Sequence, residues 1–193
     1  NRQPSSAALI AGPGDAMQGQ YWYTAALRRE ALENAAEVGR KAAQRRLARL
    51  NPRSAPTGEF PVLFVPEVAR SLVAHLVGAV SGGALYRKAS FLVGAQGQKL
   101  FPEWFGIVER PHLKGGWRSG DFDADGVATR ESALIDAGVL QRYVLGTYSA
   151  RRLGLESTAT AGGVHKLEVA ANAEGIGTML KGIRRGPVVT EPR

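Results

Sequence analysis

Between Val65 and Val80 the apolar residues fall at 65, 68, 69, 72, 73, 76, 77 and 80. That is the three-to-four spacing of a helix with one apolar face. Pro66 suits its first turn, where the missing N–H would have no partner. Glu67 follows at the positive end of the helix dipole, and Gly82-Gly83 reads as its stop. Ahead of the helix, the run 60–65 is apolar on both faces, which predicts a central strand. A second periodic stretch, 34–50, predicts a helix with Asn34 as its cap and Glu37 reaching back to it. Its apolar stripe is narrow: Ala35, Val38, Ala42, Ala43, Leu47 and Leu50. Asn51-Pro52 reads as its end.

Elsewhere the pattern is shorter-ranged. Residues 1–24 read as irregular, with a turn at Gly12-Pro13-Gly14-Asp15 and an aromatic cluster at Tyr21-Trp22-Tyr23 that is expected to pack a loop onto a core, with stacking on a ligand as the alternative. Residues 51–59 read as a connector. Short strands are expected at 91–93 and 104–108. From Gly115 onward the pattern predicts a β meander, with paired strands at 129–135 and 139–147 around the hairpin signal Asp136-Ala137-Gly138. A helical turn at 149–153 ends at Gly154. A strand at 167–170, a helix at 178–183 and a strand at 187–190 complete the series. Helices packed on a mixed or antiparallel sheet, with a meander in the C-terminal half, define an α+β fold.

Composition narrows the classes. The 193 residues are 44% apolar with mean hydropathy −0.16, the profile of a globular chain with a core. No apolar run approaches the ~20 residues of a membrane span. Zero cysteines exclude disulfides and thiolate metal sites in this chain and fit a reducing compartment. Asn1 is not an initiator, so a further N-terminal region is expected. The formal charge of +8 permits an anionic partner. Arg40, Lys41, Arg45, Arg46 and Arg49 form a basic helix face, the best candidate for contact with a nucleic-acid backbone, but no recognised nucleic-acid motif accompanies it and a solvated or protein-docking face is the favoured reading, so a nucleic-acid partner is not expected.

Candidate chemistry is sparse. Asp121, Asp123, Asp125 and Gly126 imitate the start of a calcium loop, but the twelfth position is Ser132 and Glu131 falls one place early. No G-x-S-x-G elbow is present, and Ser119 and Ser157 have no base beside them in sequence. His75 lies on the edge of a helix face and His112 follows Pro111 in a loop. His165 comes after Gly162-Gly163-Val164, where backbone can approach a ligand, and is the most interesting histidine. A zinc peptidase helix needs two histidines one turn apart, with a glutamate after the first. Here Glu67 is present, Pro66 precedes it, and the next-turn position, whether Arg70 or Ser71, is not a histidine. Proline and arginine cannot ligate zinc, and a serine hydroxyl is a poor ligand.

Linked blocks then carry a resemblance. They are Pro66-Glu67-Val68-Ala69, the run from His75 to Gly83, Tyr86-Arg87-Lys88-Ala89-Ser90-Phe91-Leu92, Phe122-Asp123-Ala124-Asp125-Gly126-Val127, Gly138-Val139-Leu140, the run from Tyr148 to Leu155, Ser157-Thr158, Ala161-Gly162-Gly163-Val164-His165 and Val188-Val189-Thr190-Glu191. In this order they resemble the TldD/PmbA family, in its PmbA (TldE) branch. The resemblance implies a cytoplasmic peptidase complex in which a TldD-type partner carries zinc on an H-E-x-x-x-H helix. The PmbA/TldE-type subunit shares the fold without the ligands. On this chain that motif falls on Pro66, Glu67 and Ser71, so no catalytic, cofactor or metal residue is expected here, and zinc is expected in the partner. Glu67 and His165 remain weak candidates.

The family chains are longer. Residues 1–58 are therefore expected to end an N-terminal region and 59–193 to open a truncated C-terminal domain. The expected function is a non-catalytic subunit that pairs with the TldD-type protease and processes peptides or unfolded proteins. The alternatives are a gyrase-modulator type associated with nucleic acid, an active metallopeptidase with a non-standard site, and a homo-oligomer.

Overall fold

A computed structural model describes residues 3–12, 17–50, 54, 56–170, 174–183 and 186–190. The chain forms two compact units, Asn1–Gly58 and Glu59–Arg193, and the fold is α+β. Within the turn expected at 12–15, Pro13, Gly14 and Asp15 lie outside the described residues, as does the Asn51-Pro52 stop.

The first unit corrects the reading of 1–24 as irregular. Strands β1 (Gln3–Ala11) and β2 (Gln18–Ala26) form an antiparallel hairpin, in register from Gln3↔Ala26 to Ala11↔Gln18. Helix α1 (Ala35–Leu47) packs on both strands. The pleat sends Gln20, Trp22, Thr24 and Ala26 to the covered face and leaves Tyr21 and Tyr23 outside, their rings 6.3 Å apart. The aromatic cluster is thus part of a strand, not a loop. Asn34 caps α1, its Oδ1 accepting from Ala36 N at 2.8 Å. Glu37 does not reach back; it pairs with Arg40 on the next turn.

In the second unit, β3 (Leu63–Phe64) is two residues long and pairs in parallel with β8 (Val188–Val189). The expected central strand over 60–65 is shortened because Pro61 has no N–H for a ladder and Pro66 already begins the helix. Helix α2 (Pro66–Ala79) follows with Pro66 in its first turn. Gly82-Gly83 does not stop it. Val80 ends α2, and Gly82 opens α3 (Gly82–Tyr86). Gly82 is needed for close approach: a Cβ there would lie 2.3 Å from Ser149 Cβ and Oγ, on α4 (Thr147–Leu153), which Gly154 ends at φ 67°. Residues 91–94 are a turn, not the expected strand.

The main sheet has four antiparallel strands in the order β6-β5-β4-β7: β4 (Ile107–Glu109), β5 (Ser132–Asp136), β6 (Val139–Leu140) and β7 (Leu167–Val169). The hairpin at 136–139 is as expected. Ala137 (φ 45°) and Gly138 (φ 78°) take the two positive-φ positions of the turn that matches strand twist. β6 ends early because its chain leaves β5 for the junction of α2 and α3, where Val144 N donates to Val80 O and Gly82 N to Val144 O. The core is built from Val80, Leu85, Leu92, Ile107, Leu134, Ile135, Leu140, Val144 and Leu145. Helix α5 (Ile176–Gly182) precedes β8.

The aspartate-rich turn is structural. Asp123 is buried, and both its oxygens are occupied: Oδ1 accepts from Asp125 N and Val127 N, and Oδ2 from Ala161 N, each at 2.9 Å. Asp125 Oδ2 accepts from Thr147 Oγ1 at 2.5 Å and Thr147 N at 2.8 Å, tying the turn to the start of α4. The hydroxyl bond, then the backbone bond, hold the Asp125 carboxyl below its ordinary pKa. A depressed carboxylate contributes stability that is complete above its unfolded pKa and is lost as pH falls through the folded one. The melting temperature of Asp125→Asn is therefore expected to fall below the parent's at neutral pH, the two converging as acid protonates Asp125. A constant difference across that range would contradict the assignment.

Candidate functional site

Two places in the second unit bring chemistry-bearing groups together. The first is an apolar groove of about 630 Å³ beside the N-terminal half of α2. β3 supplies Leu63 and Phe64, α2 supplies Pro66, Ala69, Arg70 and Val73, β7 supplies Leu167 and Val169, and α5 supplies Ile176 and Met179, with Ala170 and Glu174 at the junction. This explains why α2 is less buried than its periodicity predicts. Val68 alone on α2 is fully buried, Val73, Leu76 and Val77 pack partly on the core, and Leu72 stays exposed.

β7 forms one wall and is an edge strand. Ala170 N donates to Gly106 O, and Arg110 N donates to Lys166 O. Backbone groups alternate in direction along a strand, so residues 166, 168 and 170 face β4 and the N–H and C=O of Leu167 and Val169 face away. Among the described residues no strand pairs with that outer edge. An extended chain added there would find backbone partners and an apolar floor.

The positions onto which the resemblance puts the zinc motif lie in the first half of α2, and of them Pro66 lines the groove. Pro66 is in the first turn of α2, Glu67 is exposed one residue on, and the Ser71 hydroxyl donates to Val68 O at 2.7 Å. Arg70 is the polar side chain that α2 gives to the groove. His75 Nδ1 bonds Ser71 O at 2.6 Å and is exposed. Zinc does not fit here: a proline, a back-bonded serine and an arginine offer no ligand pair. Among the described residues, no group of three or more His, Cys, Asp or Glu could hold a metal ion.

The second place surrounds His165. Glu109, on β4, is 2% exposed. Its Oε1 accepts from His165 N at 2.6 Å and faces His165 Nδ1 at 3.0 Å, while Oε2 pairs with Arg142. Arg142 also donates to Tyr143 O at 3.2 Å. One buried carboxylate thus anchors the glycine-rich segment before β7 and the segment after β6 to the central strand. Sequence reading singled out His165 but not Glu109 or Arg142. The available signal was a glutamate in an otherwise apolar strand. Glu67 and His165 are not brought together: the first is exposed at the start of α2, the second is held by Glu109. His112 Nε2 bonds Thr129 Oγ1 at 2.9 Å, a loop contact.

In the first unit the basic face of α1 is largely engaged internally. Arg46 is 3% exposed and donates to the Ala11 carbonyl. Lys41 pairs with Glu33 at 2.7 Å, and Lys41 and Arg45 lie 5.2 and 4.9 Å from the Trp22 ring centre. The Lys41 hydrogen bond is the main cause holding the Glu33 carboxyl below its ordinary pKa. Phosphate contacts along this helix would have to displace these partners.

Comparison with known proteins assigns the class. Residues 57–193 match the PmbA/TldA metallopeptidase C-terminal domain, and the chain belongs to the TldD/PmbA family of metallopeptidases. Within it, the relatives that cover nearly the whole chain carry the PmbA name. The chain is 42% identical over 190 residues to the metalloprotease PmbA of Escherichia coli O157:H7, covering 98% of this chain and 42% of that one. It is 38% identical over 192 residues to the PmbA homolog of Haemophilus influenzae, covering 99% and 43%. The chain therefore spans less than half the length of these relatives. Among solved structures, a candidate modulator of DNA gyrase from Bacteroides thetaiotaomicron superposes with TM-score 0.92 at 27% identity, covering 98% of this chain and 43% of that one. TldE from Thermococcus kodakarensis shares the fold, with TM-score 0.80 at 23% identity over 98% of this chain and 45% of that one.

Proposed function

We propose that this chain is part of a non-catalytic, PmbA/TldE-type subunit that pairs with a zinc-bearing TldD-type protease in the cytoplasm and helps present peptides or unfolded proteins to it. In this reading residues 1–58 end a preceding region and 59–193 open the peptidase-like domain. What supports the reading is that the resemblance puts the ligand positions of the zinc helix on Pro66 and Ser71, on a helix that lines an apolar groove beside the free β7 edge. A wall without ligands can hold an extended chain by backbone pairing and apolar contact, and it supplies nothing to activate water.

The nucleic-acid and independent-peptidase alternatives find less support in the side-chain geometry. The cations of α1 have partners within their own unit, and Glu67 and His165 do not converge. Co-purification of the full-length chain with a TldD-type subunit, followed by metal analysis of each separated chain, tests the reading. A complex with zinc in the TldD-type chain alone is expected. Zinc bound to this chain at one equivalent, or no complex at all, overturns it.

A further inference from the structure

An aspartate or asparagine is followed by glycine at one place in the sequence, Asp125-Gly126. Such a step is open to backbone rearrangement, because glycine has no Cβ to shield its N–H. In that reaction the Gly126 nitrogen attacks Asp125 Cγ of the protonated carboxyl. A C–N bond forms and a C–O bond breaks, and the hydroxyl leaves with the nitrogen's proton as water. The product is a five-membered succinimide. Water then opens the ring: cleavage of N–Cγ restores aspartate, whereas cleavage of the bond to the main-chain carbonyl leaves the chain running through Cβ and Cγ, an isoaspartate.

The fold opposes each part of this reaction. Asp125 Oδ2 accepts from Thr147 Oγ1 at 2.5 Å and from Thr147 N at 2.8 Å. The carboxyl group is thereby drawn toward the start of α4 and held ionised, and the ionised form is a poor electrophile. Gly146 lets it come this close: a Cβ there would lie 3.2 Å from Asp125 Oδ2. The nucleophile is held elsewhere, Gly126 N donating to Asp123 O at 3.1 Å. Asp125 N donates to Oδ1 of the buried Asp123 at 2.9 Å. Attack requires the carboxyl to leave Thr147, take up a proton and swing onto a nitrogen that has released Asp123.

We propose that Asp125-Gly126 is an isoaspartate-forming site held in check by the Thr147 hydroxyl, and that rearrangement there releases α4 from the aspartate turn. Isoaspartate adds a methylene to the main chain and leaves the free carboxylate on Cα, one bond shorter. The group loses its reach to Thr147, and the chain beyond it shifts against Asp123, whose Oδ1 also accepts from Val127 N.

The test incubates the purified full-length chain, its Thr147→Val and Thr147→Ser variants and a free peptide spanning residues 119–130 at mildly acidic pH. Isoaspartate at position 125 is followed by mass-spectrometric peptide mapping, and far-UV melting curves establish that each variant is folded. The parent is expected to rearrange much more slowly than the peptide. Thr147→Val is expected to rearrange about tenfold faster than the parent, the effect of one hydrogen bond to a charged group, and Thr147→Ser at the parent's rate. Rearranged protein is expected to melt below the unmodified fraction. Equal rates for parent and peptide overturn the proposal without recourse to any variant. Equal rates for the parent and a folded Thr147→Val remove the role of the hydroxyl, and equal melting of the two fractions removes the link to α4.

Discussion

Replacing Glu109 by alanine is expected to lower the stability of the folded protein by about 3–5 kcal/mol, read from the shift in denaturant midpoint. The reason is what remains behind. Arg142, 12% exposed in its side chain, would keep its charge without a carboxylate, and its Nε already lacks a hydrogen-bond partner. The His165 backbone N–H would lose its acceptor. Removing one member of a buried ion pair costs the desolvation of the other, which is larger than the pair's net contribution. Glu109→Leu combined with Arg142→Met should therefore be markedly more stable than Glu109→Ala. A loss below about 1 kcal/mol in Glu109→Ala would mean that this cluster does not tie its segments to β4.

The second large effect is expected at Gly138. Its φ of 78° is a region that side-chain-bearing residues rarely adopt. A Cβ there would also lie 2.1 Å from Phe101 O and 2.7 Å from Pro102 O. Both neighbours are backbone atoms, held because Leu100 N and Phe101 N donate to Gly138 O, so they cannot rotate aside. Gly138→Ala combines strain with overpacking, and a loss of about 3 kcal/mol or more is expected. Gly126, at the same φ of 78° with nothing within 4 Å of its would-be Cβ, is the control for strain alone. Gly126→Ala should cost clearly less, and equal losses would show that conformation, not contact, dominates at Gly138.

These two sites mark how far the sequence could be read. Helix α2, the hairpin at 136–139 and the stop of α4 at Gly154 were legible because each is specified locally, by periodicity or by a residue with one special conformation. The β1–β2 hairpin was not. β1 opens on small and polar residues with Pro4 inside, and what holds the pair is α1 packed across one face, a contact distant in sequence. Gly82-Gly83 has the composition of a helix stop, yet its role depends on Ser149 arriving from a helix more than sixty residues later. The run 60–65 looked like a buried strand because its apolar residues needed a partner, and the structure turns Leu63 and Phe64 toward the groove instead.

The candidate site divides the same way. The positions where the resemblance would put zinc ligands, Pro66 and Ser71, are readable one at a time. The groove needs β3, α2, β7 and α5 together, and the Glu109–Arg142–His165 cluster joins positions 33 and 56 residues apart. Pairings of that kind leave no periodic trace in a single sequence.

In the role proposed here the chain supplies binding surface and no metal chemistry of its own. Peptide cleavage assayed with the purified full-length chain alone, with a TldD-type subunit alone and with both together tests it most directly, each with and without a zinc chelator. No cleavage by this chain alone is expected, and chelator-sensitive cleavage only when the TldD-type subunit is present. Chelator-sensitive cleavage by this chain alone, restored by added zinc, would contradict it.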